Sequence, residues 1–396
     1  MQPFTLSFSN IKVAFKHMSD AELKKAKFIF SIFKFPILVK FGPPVSTFFL
    51  TIGLPIKGLI KKTVFWQFCG GETIDECDET VKILAKNRVG TILDYSVEGH
   101  GNEKDFDQNL HEIKNTILKA TGKSEYPFCV FKPSGIARVA LLEKLDAGQK
   151  LDSEELNEYY ILKNRFDALG AAAAEHNMRL FVDAEWSWIQ NPIDDIVNEM
   201  MAKYNNGHAV IYTTVQLYRK GRLELMQKWI NEARANKYTL GFKLVRGAYM
   251  EKEAERASKM GYASPIQDSK ADSDSDFDQA LKLCIENRDI VSVCAGTHNE
   301  NSSIYLAKMM HEAGIENKDP RFWFAQLFGM SDTISFNLAA QGYNVVKYLP
   351  YGPIKSVMPY LGRRAQENSS MAGQMGRELS LLTQELTRRK KEKIQN

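Results

Sequence analysis

The runs "AVIYTTVQ" (209–216) and "YTLGFKLVRGAY" (238–249) decide the fold. Each is apolar and β-branched through its middle, each ends in polar or charged residues, and a helix-like stretch separates them. A run with apolar residues on both faces reads as a strand buried on both sides. A helix between two such strands makes them parallel. Outward from this pair the alternation continues in both directions. Toward the N-terminus stand "VGTILDYSVEG", "FCVFKPSG" and "RLFVDAEW"; toward the C-terminus stand "IVSVCAGTHN", "FWFAQLFGM" and "NVVKYLPYG". Eight βα runs point to a closed (β/α)₈ barrel of the TIM type, an α/β fold, rather than an open doubly wound sheet. No GxGxxG follows any of the runs, which argues against a Rossmann domain.

The barrel is expected over residues 91–369. A helical arm, 1–90, precedes it, and an amphipathic basic tail, 370–396, follows. Residues 135–178 have room for two helices, and "SPIQDSKADSDSDFD" (264–278) reads as an exposed polar insertion. The tail "ELSLLTQELTRRKKEKIQN" reads as a solvated helix.

Composition narrows the classes. Fifty-two basic residues face 48 acidic ones over 396 residues, a net charge of +4, which is too even for a nucleic-acid binder. The five cysteines are scattered with no CxxC pair, so neither a disulfide framework nor a metal site is expected. The stretch "FIFSIFKFPILVKFGPPVSTFFLTIGLPIKGLI" (28–60) is apolar, but Lys34, Lys40 and Lys57, with Gly42-Pro43-Pro44 between, interrupt it too often for a spanning helix. It could lie on a membrane surface or pack against the main domain. The first 18 residues lack acids, as a mitochondrial presequence does, but also lack arginine, so a cytoplasmic reducing compartment is the default.

In such a barrel the chemistry sits at the C-terminal ends of the strands. Reading off where each run stops collects Lys132, Asp183 with Glu185, Gln216, Lys243 through Tyr249, Thr297 with His298, and Tyr348. "GTHN" sets polar groups where a strand turns into a helix, a place suited to phosphate oxygens. Lys243 and Arg246 point to opposite sides of their strand unless it bends, and Gly247 allows a bend or the close approach of a flat ligand. "YLGRRAQEN" (360–368) spaces Tyr360, Arg363, Arg364 and Glu367 by threes and fours, so one helix face carries all four. That face is either a solvated ion-pair ladder or a planar fork for a carboxylate with an aromatic wall and a counter-charge beside it.

"FVDAE", "KLVRGAYMEKE", "GTHN", "YLPYG" and "YLGRRAQEN", in this order, resemble the proline dehydrogenase family over residues 90–369. The resemblance implies an FAD-dependent barrel oxidising L-proline to Δ1-pyrroline-5-carboxylate, by hydride transfer from C5 to flavin N5, with electrons passed to a quinone. It implies that Asp183 and Lys243 are catalytic. Lys132, Arg363 and Arg364 would hold the proline carboxylate, Glu367 would face the ring nitrogen, and Tyr348 and Tyr360 would pack on the ring. Ala184, Gln216, Arg246, Gly247, Ala248, Thr297 and His298 would hold FAD. Position 243 is Arg in many relatives, and position 250, Met here, is Trp in the bacterial fused enzymes. Glu98 after the first strand is a candidate lid residue. A quinone acceptor implies peripheral contact with the inner membrane, mitochondrial in a eukaryote. Alternatives are a hydroxyproline dehydrogenase and a non-catalytic amino-acid-binding barrel.

Overall fold

The computed structural model describes residues 4–96, 101–370 and 372–395. Eight strands close into a barrel in sequential order: β1 (Gly90–Tyr95), β2 (Phe128–Phe131), β3 (Arg179–Val182), β4 (Ile211–Gln216), β5 (Leu240–Val245), β6 (Val291–Gly296), β7 (Phe322–Leu327) and β8 (Val345–Tyr351). The pairings are parallel, with Val182 opposite Thr213, Thr214 opposite Lys243, and Lys243 opposite Cys294. Each of the eight runs read from the sequence is a strand, because crossover helices on the outside and packed side chains within bury both faces.

By packing, the chain divides into two compact units, one of Met1–Phe4 with Gly99–Ala325, the other of Thr5–Glu98 with Gln326–Asn396. In the second unit the N-terminal helices run α1 (Ile11–Phe15), α2 (Asp20–Ile32), α3 (Pro36–Thr51), α4 (Lys57–Ile60), α5 (Trp66–Phe68) and α6 (Asp78–Lys86). Ser19 starts α2 with a reciprocal capping box to Glu22, which satisfies two otherwise open backbone donors. The first unit holds α7 (Glu103–Ala120), α8 (Val139–Asp146), α9 (Ser153–Glu175), α10 (Ser187–Tyr204), α11 (Arg222–Asn236), α12 (Met250–Met260), α13 (Lys270–Glu286) and α14 (Glu300–Glu312). The second unit adds α15 (Asp332–Ala340), α16 (Ile354–Ser370) and α17 (Ala372–Gln395).

Two expectations are corrected. The polar stretch 264–278 is not a loose insertion. Ser269 caps α13, and Ser273 and Phe277 are buried, so its acidic residues are the outer face of a packed helix. Nor is the tail simply solvated. Leu381, Leu382 and Glu385 of α17 are buried, and Arg389 donates to Asp20 and to the carbonyls of Phe15 and Met18. Basic residues that read as a solvated charge run instead pin the helix to α1 and α2.

In the first unit the barrel floor is aromatic. Phe128 and Phe181 stack at 4.3 Å, and Tyr212 meets both rings edge-on at 5.5 and 5.4 Å. Burying such rings stabilises by about 1.5–3 kcal/mol each. This floor leaves the opposite, C-terminal ends of the strands to carry polar groups.

Candidate active site

In the first unit, the strand tips converge through hydrogen bonds that no single motif announces. Asp183, one residue past β3, has its backbone N–H on Phe131 O at 3.0 Å. Its carboxylate accepts from Lys243 Nζ of β5 at 2.5 Å, and the two side chains are only 13 and 9% exposed. A buried pair of this kind holds geometry, because removing either member strands a charge in low dielectric. Lys243 Nζ also stands 5.5 Å from the Phe181 ring centre.

Glu185 accepts from Ser134 N and Oγ at 2.6 and 2.5 Å, and Glu253 of α12 accepts from Ser187 N and Oγ. Two carboxylates thus clasp the loops after β2 and β3. Gln216, the last residue of β4, donates to Glu185 O at 2.8 Å. Lys132 follows β2 and is half-buried, with its carbonyl accepting from Gly135 N.

Arg246 leaves β5 and spans to the next loop. Its Nε donates to Asp274 at 2.6 Å, Nη1 to Thr297 Oγ1 at 2.8 Å and Nη2 to Ser302 Oγ at 3.0 Å, and the guanidinium lies 4.4 Å from the Phe277 ring centre. Lys243 and Arg246 therefore serve different places, as strand alternation requires. Thr297 also orders Asn299, which caps α14 through Asn301 N and Ser302 N. His298 is half-buried beside it, Ala184 is half-buried beyond Asp183, and Gly247, Ala248 and Met250 are exposed. Gly247 has φ of 146°, and a Cβ there would fall 2.4 Å from the Tyr218 ring, so only glycine fits.

A flat anionic cofactor suits this rim. Gln216 Oε1 and Trp186 Nε1 are buried without hydrogen-bond partners, and buried polar atoms of that kind ordinarily have them. An open acceptor, an open donor, a glycine that keeps the backbone clear and the Thr297–Asn299 helix start together fit a flavin and its phosphates. The described residues contain no cluster of three or more His, Cys, Asp or Glu able to hold a metal.

In the second unit, α16 carries the paired arginines. Arg364 is buried and donates Nη2 to Glu367 Oε1 at 2.5 Å, with its guanidinium 5.2 Å from the Tyr360 ring centre. Burial pushes the Glu367 carboxyl up, against the pull of Arg364 and Arg363. Burial also raises the phenol of Tyr360, whose oxygen has no hydrogen-bond partner. Arg363 is half-buried. Tyr348 is buried on β8 opposite Ile92. The one-face grouping of Tyr360, Arg364 and Glu367 holds, with Tyr360 and Arg364 buried and Glu367 half-buried, so it is not a solvated ladder. Sequence reading missed Asp94, buried on β1 and bonded to Ser96 Oγ at 2.6 Å; a single acid inside an apolar run was the available signal. Glu98 lies outside the described residues.

A model of the family described as proline dehydrogenase matches residues 77–377. The chain belongs to the proline dehydrogenase family. It is an oxidoreductase of that family, whose members are in general flavoenzymes. The chain is 33% identical, over 84% of its length and 86% of the relative's, to the carbapenem antibiotics biosynthesis protein CarD of Pectobacterium carotovorum. It is 30% identical to hydroxyproline dehydrogenase of Xenopus laevis, over 97% of the chain and 90% of the relative. Relatives in Homo sapiens and Arabidopsis thaliana are named mitochondrial proline dehydrogenases. A crystal structure of proline utilization A from Bdellovibrio bacteriovorus, inactivated by N-propargylglycine, superposes with a TM-score of 0.73 at 19% identity, over 95% of this chain. That likeness bears on the fold, and this chain spans 44% of that protein's length.

Proposed function

We propose that the chain oxidises L-proline to Δ1-pyrroline-5-carboxylate with FAD and delivers the electrons to a quinone at the inner membrane, mitochondrial in a eukaryote. The observation that carries this reading is the Arg364–Glu367–Tyr360 set on α16, with the arginine and the tyrosine buried. A guanidinium, a carboxylate and an aromatic wall within two helical turns match an amino acid whose nitrogen is part of an apolar ring.

In this reading Arg363 and Arg364, with Lys132, take the substrate carboxylate. A guanidinium fork fixes orientation as well as energy, and placement of a bound reactant is worth up to about 7–11 kcal/mol of barrier. Tyr348 and Tyr360 pack on the ring. Glu367 meets the ring nitrogen as the ammonium and takes its proton on a carboxylate oxygen; a carboxyl raised by burial is the better base. Asp183 holds the Lys243 ammonium in place at the barrel mouth. Gln216, Arg246, Gly247, Ala248, Thr297 and His298 hold the cofactor, with Ala184 beside it. Bound FAD would supply the two-electron acceptor for the hydrogen at C5.

The test is anaerobic. Yellow protein should bleach on addition of L-proline, and protein that stays colourless with added FAD would favour a non-catalytic binding barrel. A second reading, hydroxyproline as substrate, is favoured by the near full-length likeness to the Xenopus laevis enzyme. The buried Tyr348 phenol argues for the unsubstituted ring, and kcat/KM on both substrates separates the two.

A further inference from the structure

Arg219 is a buried cation without a counter-ion. It follows β4 and is only 6% exposed. Its backbone N–H donates to Gln216 O at 3.0 Å, and a bridge to Ile266 ties the segment down. Its guanidinium nevertheless forms no ion pair among the described residues, and Nε and Nη1 are buried without a hydrogen-bond partner there. Buried charges are ordinarily paired and hydrogen-bonded, and one that is neither is among the costliest features a fold can carry.

The neighbours of Arg219 do not neutralise it. Arg222, at the start of α11, is a second cation whose Nη1 reaches Asp194 at 3.3 Å while Nε is buried without a partner. Burial, then the nearness of Arg219, lowers the pKa of Arg222. Arg256 of α12 pairs with Glu143 and lies 4.5 Å from the Trp188 ring centre, and its Nε is also buried without a partner. All three guanidiniums act on the Asp146 carboxylate, so they stand around one place. That carboxylate is engaged by Asn191 N at 2.9 Å, and Asp194 by Gln190 Nε2 at 2.8 Å as well as by Arg222. Burial raises both carboxyls, that of Asp194 to about 6. Water would satisfy the open N–H groups but would leave the Arg219 charge in low dielectric. An oxyanion with forked oxygens supplies acceptors and charge together.

We propose that Arg219, Arg222 and Arg256 bind a compact oxyanion, a phosphate or a carboxylate, where the loop after β4 meets α8, α10 and α12. Asp146 is the built-in competitor, since its charge opposes an incoming anion. Helix α12 also carries Glu253, which clasps Ser187 after β3, so an ion joining Arg256 to Arg219 braces that clasp from its other side. None of the three arginines is assigned above to proline or to flavin. The inference does not rest on proline oxidation, since binding is read without substrate.

The experiment titrates the full-length, flavin-loaded protein with inorganic phosphate and, separately, with acetate, at constant ionic strength balanced by chloride. Melting temperature and calorimetry read the binding, and the flavin keeps phosphate off the residues assigned to the cofactor. A saturable rise in melting temperature should appear with at least one ion. Phosphate alone would identify a phosphate site, acetate alone a carboxylate site, and both the shared fork chemistry. Arg219→Met should weaken binding about tenfold or more. Asp146→Asn should tighten it about threefold or more, because the opposing charge is gone, and this arm reads the site even where Arg219→Met fails to fold. Arg363→Met should leave binding unchanged, which separates the site from the substrate grip. No response to either ion, which would leave water alone on Arg219, would overturn the proposal. So would an affinity unchanged in both Arg219→Met and Asp146→Asn, the mark of an adventitious ion only.

Discussion

Asp183 and Lys243 meet across an intervening strand. Asp183 follows β3 and Lys243 lies within β5, with β4 between the two strands, and their ion pair is 2.5 Å long inside the barrel mouth. Alternate strands of such a barrel contribute side chains to the same interior layer, which is why residues sixty positions apart touch while β4's own side chains sit at other levels. Lys243→Met should therefore cost about 3–5 kcal/mol of stability, the penalty of an orphaned buried carboxylate. Asp183→Asn/Lys243→Met should recover much of that loss without recovering turnover. Chemical denaturation of both variants reads the first, and anaerobic reduction by proline reads the second.

Arg363 and Arg364 are adjacent in sequence but differ in setting. Arg364 is buried on Glu367, and Arg363 is half-buried. Arg363→Met should raise the KM for proline about a hundredfold, with flavin content and thermal stability near normal. Arg364→Met should raise KM and also lower the melting temperature, because it leaves the Glu367 carboxylate buried without its nearest cation. Steady-state kinetics with a melting curve for each variant separates the two roles.

The raised Glu367 carboxyl has a pH consequence. The proposed base works as the carboxylate, so kcat/KM for proline should fall as pH drops through its raised pKa, at a higher pH than an ordinary carboxylate would allow. Glu367→Gln should lower kcat/KM throughout and flatten this acid limb. A pH profile that is identical in shape for both proteins would remove Glu367 as the proton acceptor.

Glu378 of α17 accepts from Ser331 N at 2.8 Å and is buried. Burial first, then the nearby Asp332, raises its carboxyl to about 7. The folded state therefore binds a proton that the unfolded chain releases from about pH 4.5 upward. The destabilisation is absent below that, grows as pH rises, and is complete above about 7. Glu378→Gln should add up to about 3 kcal/mol at pH 8 and little at pH 4. Melting curves at the two pH values check the sign.

Local pattern was enough for the barrel, because doubly buried strands write unbroken apolar runs and the runs were eight. It was enough for α16, where helical spacing alone puts Tyr360, Arg364 and Glu367 together. It failed where partners are distant in sequence. Nothing near Asp183 announces Lys243, nothing near Ser187 announces Glu253, and Arg389 reads as part of a solvated tail until Asp20 and two carbonyls are found under it. The polar stretch before Phe277 misled because its composition resembles a loop, although Ser269 and the buried Phe277 give it a capped, amphipathic helix.

Gly362, immediately before the arginine pair, leaves room for Pro43 of α3: a β-carbon at 362 would stand 3.2 Å from the proline Cβ, so that any larger residue would require the ring to yield by a few tenths of an ångström. A lineage that swaps the glycine for alanine should also trim or shift the proline, or else tilt the backbone that aims both guanidiniums. The helix at the protein's edge and the arginines proposed to grip its substrate thus share one steric tolerance, and neither can be redesigned while ignoring the other.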